Sequence, residues 1–232
     1  MKQGILLLDI GNTRVKAVYW LDGELTAISE FPGTLPASPC AVYYASVATD
    51  ERLEQLRSEC HLSEISWHQI RSEAQKDLLC NSYAKPETMG VDRWLAMLGA
   101  QQCYPLTELL VIDAGTALTI DHLTADGQHR GGWIVPGIHM QQKAVTNYTA
   151  RVFNRDRQEF QLAFAQDTAS CLQNGVFAAI LAVIRQANQL VPRAKMLITG
   201  GDAAVLMPFL NDLPIEIEPL LIFRGMTRYI TN

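Results

Sequence analysis

Two stretches of the sequence decide the fold: Ile5-Leu-Leu-Leu-Asp-Ile-Gly-Asn-Thr-Arg-Val-Lys16 and Leu109-Leu-Val-Ile-Asp-Ala-Gly-Thr-Ala-Leu-Thr119. Each is an apolar run that ends in an aspartate, followed by a glycine-containing turn and a second run rich in strand-forming residues. This pattern predicts a strand, a turn and a second strand. The two aspartates, Asp9 and Asp113, lie 104 positions apart, so the pattern indicates an internal recurrence.

The residues that follow each stretch strengthen the recurrence. Asp22-Gly23 and Asp126-Gly127 are two-residue hairpin signals, and each predicts a third antiparallel strand directly after it. The order strand, turn, strand, hairpin, strand therefore occurs twice. We expect two similar α/β halves, at residues 1–107 and 108–232, with mixed sheets around an interdomain cleft and a terminal helix that packs back on the first half.

Periodicity and capping residues place the other elements. Strands are expected at residues 41–47, 195–199 and 215–217. Helices are expected from Thr49 or Asp50 to Cys60, at 92–103, at 139–149, at 169–188 with Asp167 or Thr168 as N-cap, and at 223–229.

Composition excludes several classes of protein. Of 232 residues, 48% are hydrophobic and 19% charged, and the net charge is −5, which argues against a disordered chain and against a protein that wraps nucleic acid. The longest apolar run, Val176 to Ile184, has nine residues, whereas a membrane span needs about twenty. With no apparent export signal, we expect a cytoplasmic protein that binds neither nucleic acid nor membranes.

The five cysteines and five histidines show no zinc-binding spacing. The cysteines are widely scattered and odd in number, which is typical of reduced thiols in a reducing compartment. We expect them to be mostly buried.

The first turn, Asp9 to Lys16, has residue types that suit an anion. A glycine lets backbone amides approach a phosphate, Asn12 and Thr13 add donors, and Lys16 adds a cation. A single copy is more often a simple hairpin turn. The second copy at Asp113 favours a site for a nucleoside triphosphate, with donors for the phosphates and carboxylates to place cations.

A third motif, Asn81 to Trp94, contains Gly90-Val-Asp-Arg93 at the start of a predicted helix. A carboxylate at Asp92 can orient a substrate hydroxyl and accept its proton, and Arg93 can bind an anionic or amide-bearing substrate. Acidic residues also favour first helical turns for structural reasons alone, so position does not decide between the two roles.

Taken together, these motifs, with Gly131-Gly-Trp-Ile-Val-Pro-Gly137 and Thr168, resemble those of type III pantothenate kinases, in the superfamily of acetate and sugar kinases, heat-shock ATPases and actin. The resemblance implies two ribonuclease-H-like domains, a homodimer, and ATP-dependent phosphorylation of pantothenate to 4′-phosphopantothenate, the first step of coenzyme A synthesis. Met89, where the family more often has leucine, and Asp167, in place of an expected asparagine, are departures.

The resemblance also implies a role for each matching residue. Asp92 is the expected catalytic base, and Asp113 the ligand of a monovalent cation, potassium or ammonium; Mg²⁺ is expected with ATP. Gly200-Gly201 resembles the superfamily's adenosine-side turn. Expected ATP contacts are Asp9, Ile10, Gly11, Asn12, Thr13, Arg14, Val15, Lys16 and Thr116, and expected pantothenate contacts are Tyr83, Gly90, Val91, Asp92, Arg93 and Thr168, the last across the dimer interface.

Two other functions remain open on the sequence. One is a non-catalytic transcriptional accessory factor of the same fold, and the other is a superfamily kinase or phosphatase that acts on another small metabolite. The presence of Asp92, Asp113, Lys16 and Arg93 favours an active enzyme, since a binding-only protein is free to lose them.

Overall fold

The computed structural model describes residues 4–11, 15–33, 35–46, 49–62, 64–148 and 160–230. The chain divides into two compact units. The first unit consists of Met1–Pro105 together with Leu220–Asn232, and the second of Leu106–Pro219. The last segment of the chain therefore belongs to the first unit.

The first unit contains a five-stranded mixed sheet. Its strands are β1 (Ile5–Ile10), β2 (Val15–Leu21), β3 (Glu24–Ile28), β4 (Ala41–Ser46) and β5 (Ser66–Gln69), in the spatial order β3-β2-β1-β4-β5. The first three strands are antiparallel neighbours, and β4 and β5 continue the sheet in parallel. In the register of β1 and β2, Asp9 pairs with Lys16, so the charged residues at the two ends of the first loop lie side by side.

Helices complete the first unit. Helix α1 (Asp50–Glu59) begins after Thr49, whose hydroxyl accepts the Arg52 amide, and its fully buried Leu56 packs with Leu6, Leu8 and Val42 of the sheet. Helices α2 (Val91–Cys103) and α6 (Leu221–Thr227) pack against each other. A short hairpin of β6 (Gln75–Lys76) and β7 (Leu79–Cys80) and a 3₁₀ turn at Pro86–Thr88 lead into α2.

The second unit repeats the sheet of the first. Its strands are β8 (Leu109–Ala114), β9 (Ala117–Leu123), β10 (His129–Pro136), β11 (Lys195–Thr199) and β12 (Ile215–Ile217), in the order β10-β9-β8-β11-β12. Again three antiparallel strands are followed by two parallel ones. The predicted fold class, α/β with two mixed sheets, is therefore confirmed, and the central strand of each sheet carries one of the two aspartates as its second-last residue.

Helices α3 (Ile138–Tyr148), α4 (Thr168–Leu190) and α5 (Ala203–Leu206) complete the second unit. Among the residues that the structure describes, α4 is the one helix long and apolar enough to cross a membrane by length and composition. One face of it packs into the core of the second unit through Phe177, Ile180 and Ile184. Such packing is what a core helix shows.

Most predicted elements agree with the structure. Asp22 and Gly23 form the predicted two-residue turn between β2 and β3, with φ of 51° and 91°, as a type I′ turn requires. The second hairpin is also present, but Leu123 pairs with His129, so its connection is longer than the two residues predicted. Strand β5 and the β6–β7 hairpin were missed. The prediction of mostly buried thiols is wrong. Cys40 and Cys171 are exposed and the other three cysteines are half-buried, because each lies at the margin of an element.

Candidate active site

The first loop joins β1 to β2. Asp9 is half-buried near the end of β1, and burial raises the pKa of its carboxyl group, while neighbouring Lys16 opposes the rise and Asp92 adds to it. Ile10 is fully buried, whereas Lys16 is exposed. Of the other expected ATP contacts, Gly11 and Val15 flank the turn, and Asn12, Thr13 and Arg14 lie outside the described residues.

Asp92 occupies the first turn of α2, where the helix begins after Gly90. Its Oδ1 atom accepts a hydrogen bond of 2.8 Å from the backbone amide of Arg93. The carboxylate thus satisfies one of the amides that a helix start leaves without a partner inside the helix, and the positive end of the helix dipole faces it. Asp92 remains partly exposed, so that a substrate hydroxyl can reach it.

Arg93 is a buried cation, with 4% of its surface exposed. Its Nη1 donates to the hydroxyl of Tyr83 at 2.9 Å, and its guanidinium lies 5.7 Å from the centre of the Tyr83 ring. Tyr83 is itself held by Asn81, whose Oδ1 accepts the Tyr83 amide at 3.0 Å. The structure therefore brings together Asp92, Arg93 and Tyr83, three residues that the sequence assigned to one site.

The second loop joins β8 to β9 and carries Asp113, Gly115 and Thr116. Gly115 donates its amide to the Ala117 carbonyl at 3.1 Å, and Thr116 is exposed. Gly137 donates to the Thr116 carbonyl at 2.9 Å, and a Cβ atom on Gly137 would lie 2.2 Å from the Gly115 carbonyl oxygen. Gly137 thus packs directly against the backbone of the second loop.

Gly200 lies directly beside Asp113. A Cβ atom on Gly200 would lie 2.5 Å from Asp113 Oδ1 and 2.3 Å from the Ala114 carbonyl oxygen, and its φ of +97° is in the left-handed region. The turn also brings in Asp202, whose amide donates to the Ala114 carbonyl at 2.9 Å. Burial raises the pKa of Asp202, and His139 at the start of α3 acts in the opposite direction. Sequence reasoning did not single out Asp202 as a neighbour of the second loop.

Thr168 is the first residue of α4 and is exposed. The preceding Asp167 is the N-cap, and its carboxylate accepts the Ser170 amide at 3.1 Å and the Ser170 hydroxyl at 2.8 Å. Thr168 and Asp167 line an open concave site of about 650 Å³, together with Val145, Ala165, Gln166, Cys171 and Leu172. The capping role explains why Asp167 is accommodated where asparagine was expected.

The carboxylate oxygens of these loops suit cations that bind together with phosphate. Mg²⁺ is usually held by one or two carboxylates plus phosphate oxygens and water, and Asp9 with Asp92 in the first unit, or Asp113 in the second, offers such carboxylates. Among the described residues no group of three or more histidine, cysteine, aspartate or glutamate side chains is placed to hold a metal ion.

Solved structures place the fold in a class. The chain is similar to MreB5 of Spiroplasma citri bound to AMPPNP, with a TM-score of 0.50 and 11% identity over 99% of this chain and 96% of that one. It is also similar to the apo psk41 ParM protein, with a TM-score of 0.51 and 8% identity over 99% and 97%. These likenesses concern the fold alone: two ribonuclease-H-like domains, as in the actin-like ATPases.

Sequence comparison identifies the family. The family model of type III pantothenate kinase matches residues 31–189. A type III pantothenate kinase of Colwellia psychrerythraea is 36% identical over 97% of this chain and 99% of its own length, and one of Stenotrophomonas maltophilia is 34% identical over 97% of both. The chain belongs to the type III pantothenate kinase family.

One further solved structure bears on the alternative function. A protein of Campylobacter jejuni described as a Baf family transcriptional activator has a TM-score of 0.60 and 28% identity over 96% of each chain. The curated relatives are more similar in sequence and are named as kinases. The comparisons therefore favour the enzyme over the accessory factor.

Proposed function

We propose that this enzyme transfers the γ-phosphoryl group of ATP to the hydroxyl group of pantothenate and forms 4′-phosphopantothenate, the first step of coenzyme A synthesis. Membership of the family is the observation that carries the proposal. The arrangement of Asp92, Arg93 and Tyr83 at the start of α2 supports it, since it offers a base and an anion-binding group side by side.

Asp92 is the proposed catalytic base. Its carboxylate is fixed at the helix start by the Arg93 amide and is partly exposed, so it can accept a hydrogen bond from the attacking hydroxyl and take its proton. Phosphoryl transfer needs little covalent help from the protein, so most of the rate enhancement comes from positioning and charge stabilisation. The role of Asp92 is therefore to align the hydroxyl with the γ-phosphorus.

Arg93 and Tyr83 are the proposed centre of the pantothenate site. A planar guanidinium pairs with a carboxylate through two parallel hydrogen bonds, and pantothenate carries one carboxylate. The contact with Tyr83 limits the orientations that the Arg93 guanidinium can take. The backbone of Gly90 and Val91, and Thr168 at the start of α4, are the other proposed contacts.

ATP is the proposed ligand of both loops. In the first loop, Asp9 to Lys16 supplies backbone amides and the Lys16 ammonium; in the second, Thr116 supplies a hydroxyl. Mg²⁺ with ATP, and a monovalent cation at Asp113, would screen the charge of the phosphates. Asp9 pairs with Lys16 in the sheet and lies near Asp92, and a cation bound with ATP would favour the ionised form of its carboxyl group.

A homodimer is the proposed assembly, with Thr168 contributed across the interface. The segment before α4 and the end of α3 expose large apolar side chains: Phe164 at 107%, Tyr148 at 88% and Leu162 at 55% relative exposure. Exposed apolar patches of this kind mark interaction sites. We place the enzyme in the cytoplasm, with no nucleic-acid or membrane partner.

A coupled assay of ATP consumption tests the function. Pantothenate should support turnover, whereas other hydroxylated acids and sugars at the same concentration should not. A protein that consumes ATP with a different acceptor would be a superfamily kinase of another specificity. A folded protein that consumes no ATP with any acceptor, in the presence of Mg²⁺ and potassium, would support the accessory factor instead.

A further inference from the structure

A network of hydrogen bonds and short stretches of backbone joins the C-terminal segment to the residues proposed to bind pantothenate. On one side, the indole Nε1 of Trp94 donates to the hydroxyl of Tyr229 at 2.8 Å. The Glu73 carboxylate lies near the Tyr229 hydroxyl, and burial together with this neighbouring carboxylate raises the pKa of Tyr229. The hydroxyl therefore stays protonated around neutral pH and can donate to Glu73 while it accepts from Trp94.

The other side of the network runs through the loop before α2. Asn81 Nδ2 donates to the Glu73 carbonyl at 3.2 Å, and Asn81 Oδ1 accepts the Tyr83 amide at 3.0 Å. The Tyr83 hydroxyl accepts from Arg93 at 2.9 Å. Arg93 precedes Trp94 in the chain, so hydrogen bonds and the intervening backbone together link Tyr229 to both Arg93 and Tyr83.

Two further contacts hold Tyr229 in place. Its neighbour Arg228 pairs with Asp77 at 2.7 Å, and the Lys76 ammonium lies 4.6 Å from the centre of the Tyr229 ring. Both partners belong to the β6–β7 hairpin, which leads into Asn81. The end of the chain is thus fixed to the hairpin by contacts that do not depend on the Tyr229 hydroxyl.

We propose that Tyr229 is a positioning residue of the pantothenate site, which orients Tyr83 and Arg93 through Glu73, Asn81 and Trp94. The inference rests on the proposed function, in which Tyr83 and Arg93 bind the substrate. Without the hydroxyl, the buried Trp94 Nε1 loses its acceptor, and the Glu73 carboxylate loses a polar neighbour. The loop that carries Tyr83 and the helix turn that carries Arg93 are then tied together less firmly.

Tyr229→Phe is the direct test, because it removes the hydroxyl and keeps the ring and its contact with Lys76. We expect the KM for pantothenate to rise about 3- to 10-fold, as loss of one net hydrogen bond predicts, with kcat and the KM for ATP within about twofold of wild type. Tyr19→Phe is the matched control. It also removes a buried tyrosine hydroxyl of the first unit, one that accepts the Gly4 amide at 3.1 Å.

Glu73 supplies a second pair of variants. Glu73→Ala should reproduce the rise in KM, whereas Glu73→Gln, which keeps a side-chain oxygen as acceptor, should recover most of it. An equal effect of Tyr229→Phe and Tyr19→Phe on the KM for pantothenate would overturn the proposal. So would a loss spread evenly over both KM values and kcat, because that is the signature of a general structural defect.

Amide hydrogen exchange of the ligand-free protein separates this inference from the proposed function. The Tyr83 amide, bonded to Asn81, should exchange faster in Tyr229→Phe than in Tyr19→Phe. If wild type fails to phosphorylate pantothenate while this difference is present, the proposed function is wrong and the network is still supported. Equal exchange rates in the two variants would rule out the network.

Discussion

The Oδ1 atom of Asp92 lies 2.6 Å from the position that a Cβ atom would take on Gly90. No side chain fits between them, so glycine at this position is what lets the carboxylate turn back and accept the Arg93 amide. The orientation of the proposed base, Asp92, therefore depends on the glycine two residues before it.

Gly90→Ala should therefore reduce activity more than stability. The Cβ atom of an alanine at position 90 would displace the Asp92 carboxylate and no backbone atom. The backbone fold can therefore remain intact while the carboxylate moves. A displacement of about 1 Å at a catalytic group can cost about 100-fold in rate, and we expect kcat to fall at least about tenfold in the coupled assay.

Gly175→Ala is the control for that substitution. A Cβ atom on Gly175 would meet nothing within 4 Å, and alanine stabilises a helix interior by about 0.5–1 kcal/mol relative to glycine. This variant should keep full activity and melt at the same or a higher temperature. If Gly90→Ala retained wild-type kcat, the orientation of Asp92 would not matter to catalysis.

Asp92→Asn should remove most turnover and leave ATP binding in place. Asparagine keeps the shape and an oxygen that can accept the Arg93 amide, but it cannot take a proton. A general base contributes about 10²- to 10⁴-fold to rate, so we expect a loss of that size in kcat with an unchanged dissociation constant for ATP, measured by calorimetry. Near wild-type turnover would refute the assignment of Asp92 as the base.

Asp9→Asn should stabilise the protein at neutral pH. In the folded state, burial raises the pKa of Asp9 above its ordinary value of 3.8. The charge of Lys16 lowers this pKa, and the charge of Asp92 raises it further. The folded state then binds the proton more tightly than the unfolded chain, so this carboxyl group lowers stability as the pH rises from about 4 through its folded-state pKa. The Asp9→Asn variant has no ionisable group at this position, so its stability does not fall in this way as the pH rises.

Thermal melting of wild type and Asp9→Asn across pH 4 to 8 measures the effect. The melting temperature of the variant should exceed that of wild type at pH 7, and the difference should shrink as the pH falls towards about 4. A variant that is less stable than wild type at pH 7 would show that the attraction to Lys16 outweighs the cost of burial.

Replacing potassium and ammonium with sodium at equal ionic strength should suppress turnover. Asp113→Asn should raise the potassium concentration needed for half-maximal activity, because the variant lacks the charge proposed to bind the cation. The measurement is the coupled assay over a potassium titration. Turnover that is indifferent to both potassium and ammonium would remove the role proposed for Asp113.

Gly200→Ala and Gly201→Ala should differ sharply although the two residues are adjacent. At Gly200 a Cβ atom would meet the Ala114 carbonyl oxygen at 2.3 Å, and φ is +97°; at Gly201 nothing lies within 4 Å. We expect the first variant to lose at least about 1–3 kcal/mol of stability from backbone strain and the second to melt close to wild type. Equal melting temperatures would show that the turn beside Asp113 can rearrange freely.

Local patterns predicted the parts of the structure that depend on local physics. The two hairpins have turn residues suited to positive φ, and Asp167 was one of two candidate caps for α4, which the structure shows it to be. Strand β5 was missed because Ser66–Gln69 has no alternation of buried and exposed residues. It forms by pairing with β4, and sequence offers no local sign of that.

The residues of the candidate site were likewise predictable only where they lie close together in the sequence. Asp92, Arg93 and Tyr83 were predicted together because they belong to one short motif. The contact between Trp94 and Tyr229 spans 135 positions, and the effect of Asp92 on the pKa of Asp9 spans 83 positions. Such pairs depend on how the sheets and helices pack, and the local sequence around either residue does not predict its partner.

The return of the last segment to the first unit has a consequence for how the protein is made. The second unit, Leu106–Pro219, is one continuous stretch of chain, whereas the first includes Leu220–Asn232. During synthesis the second unit can therefore be complete while the first still lacks helix α6, with its close approach of Gly225 to the Leu95 carbonyl oxygen. Deletion of α6 would accordingly disturb the half of the enzyme encoded first, the one that carries Asp92 and Arg93.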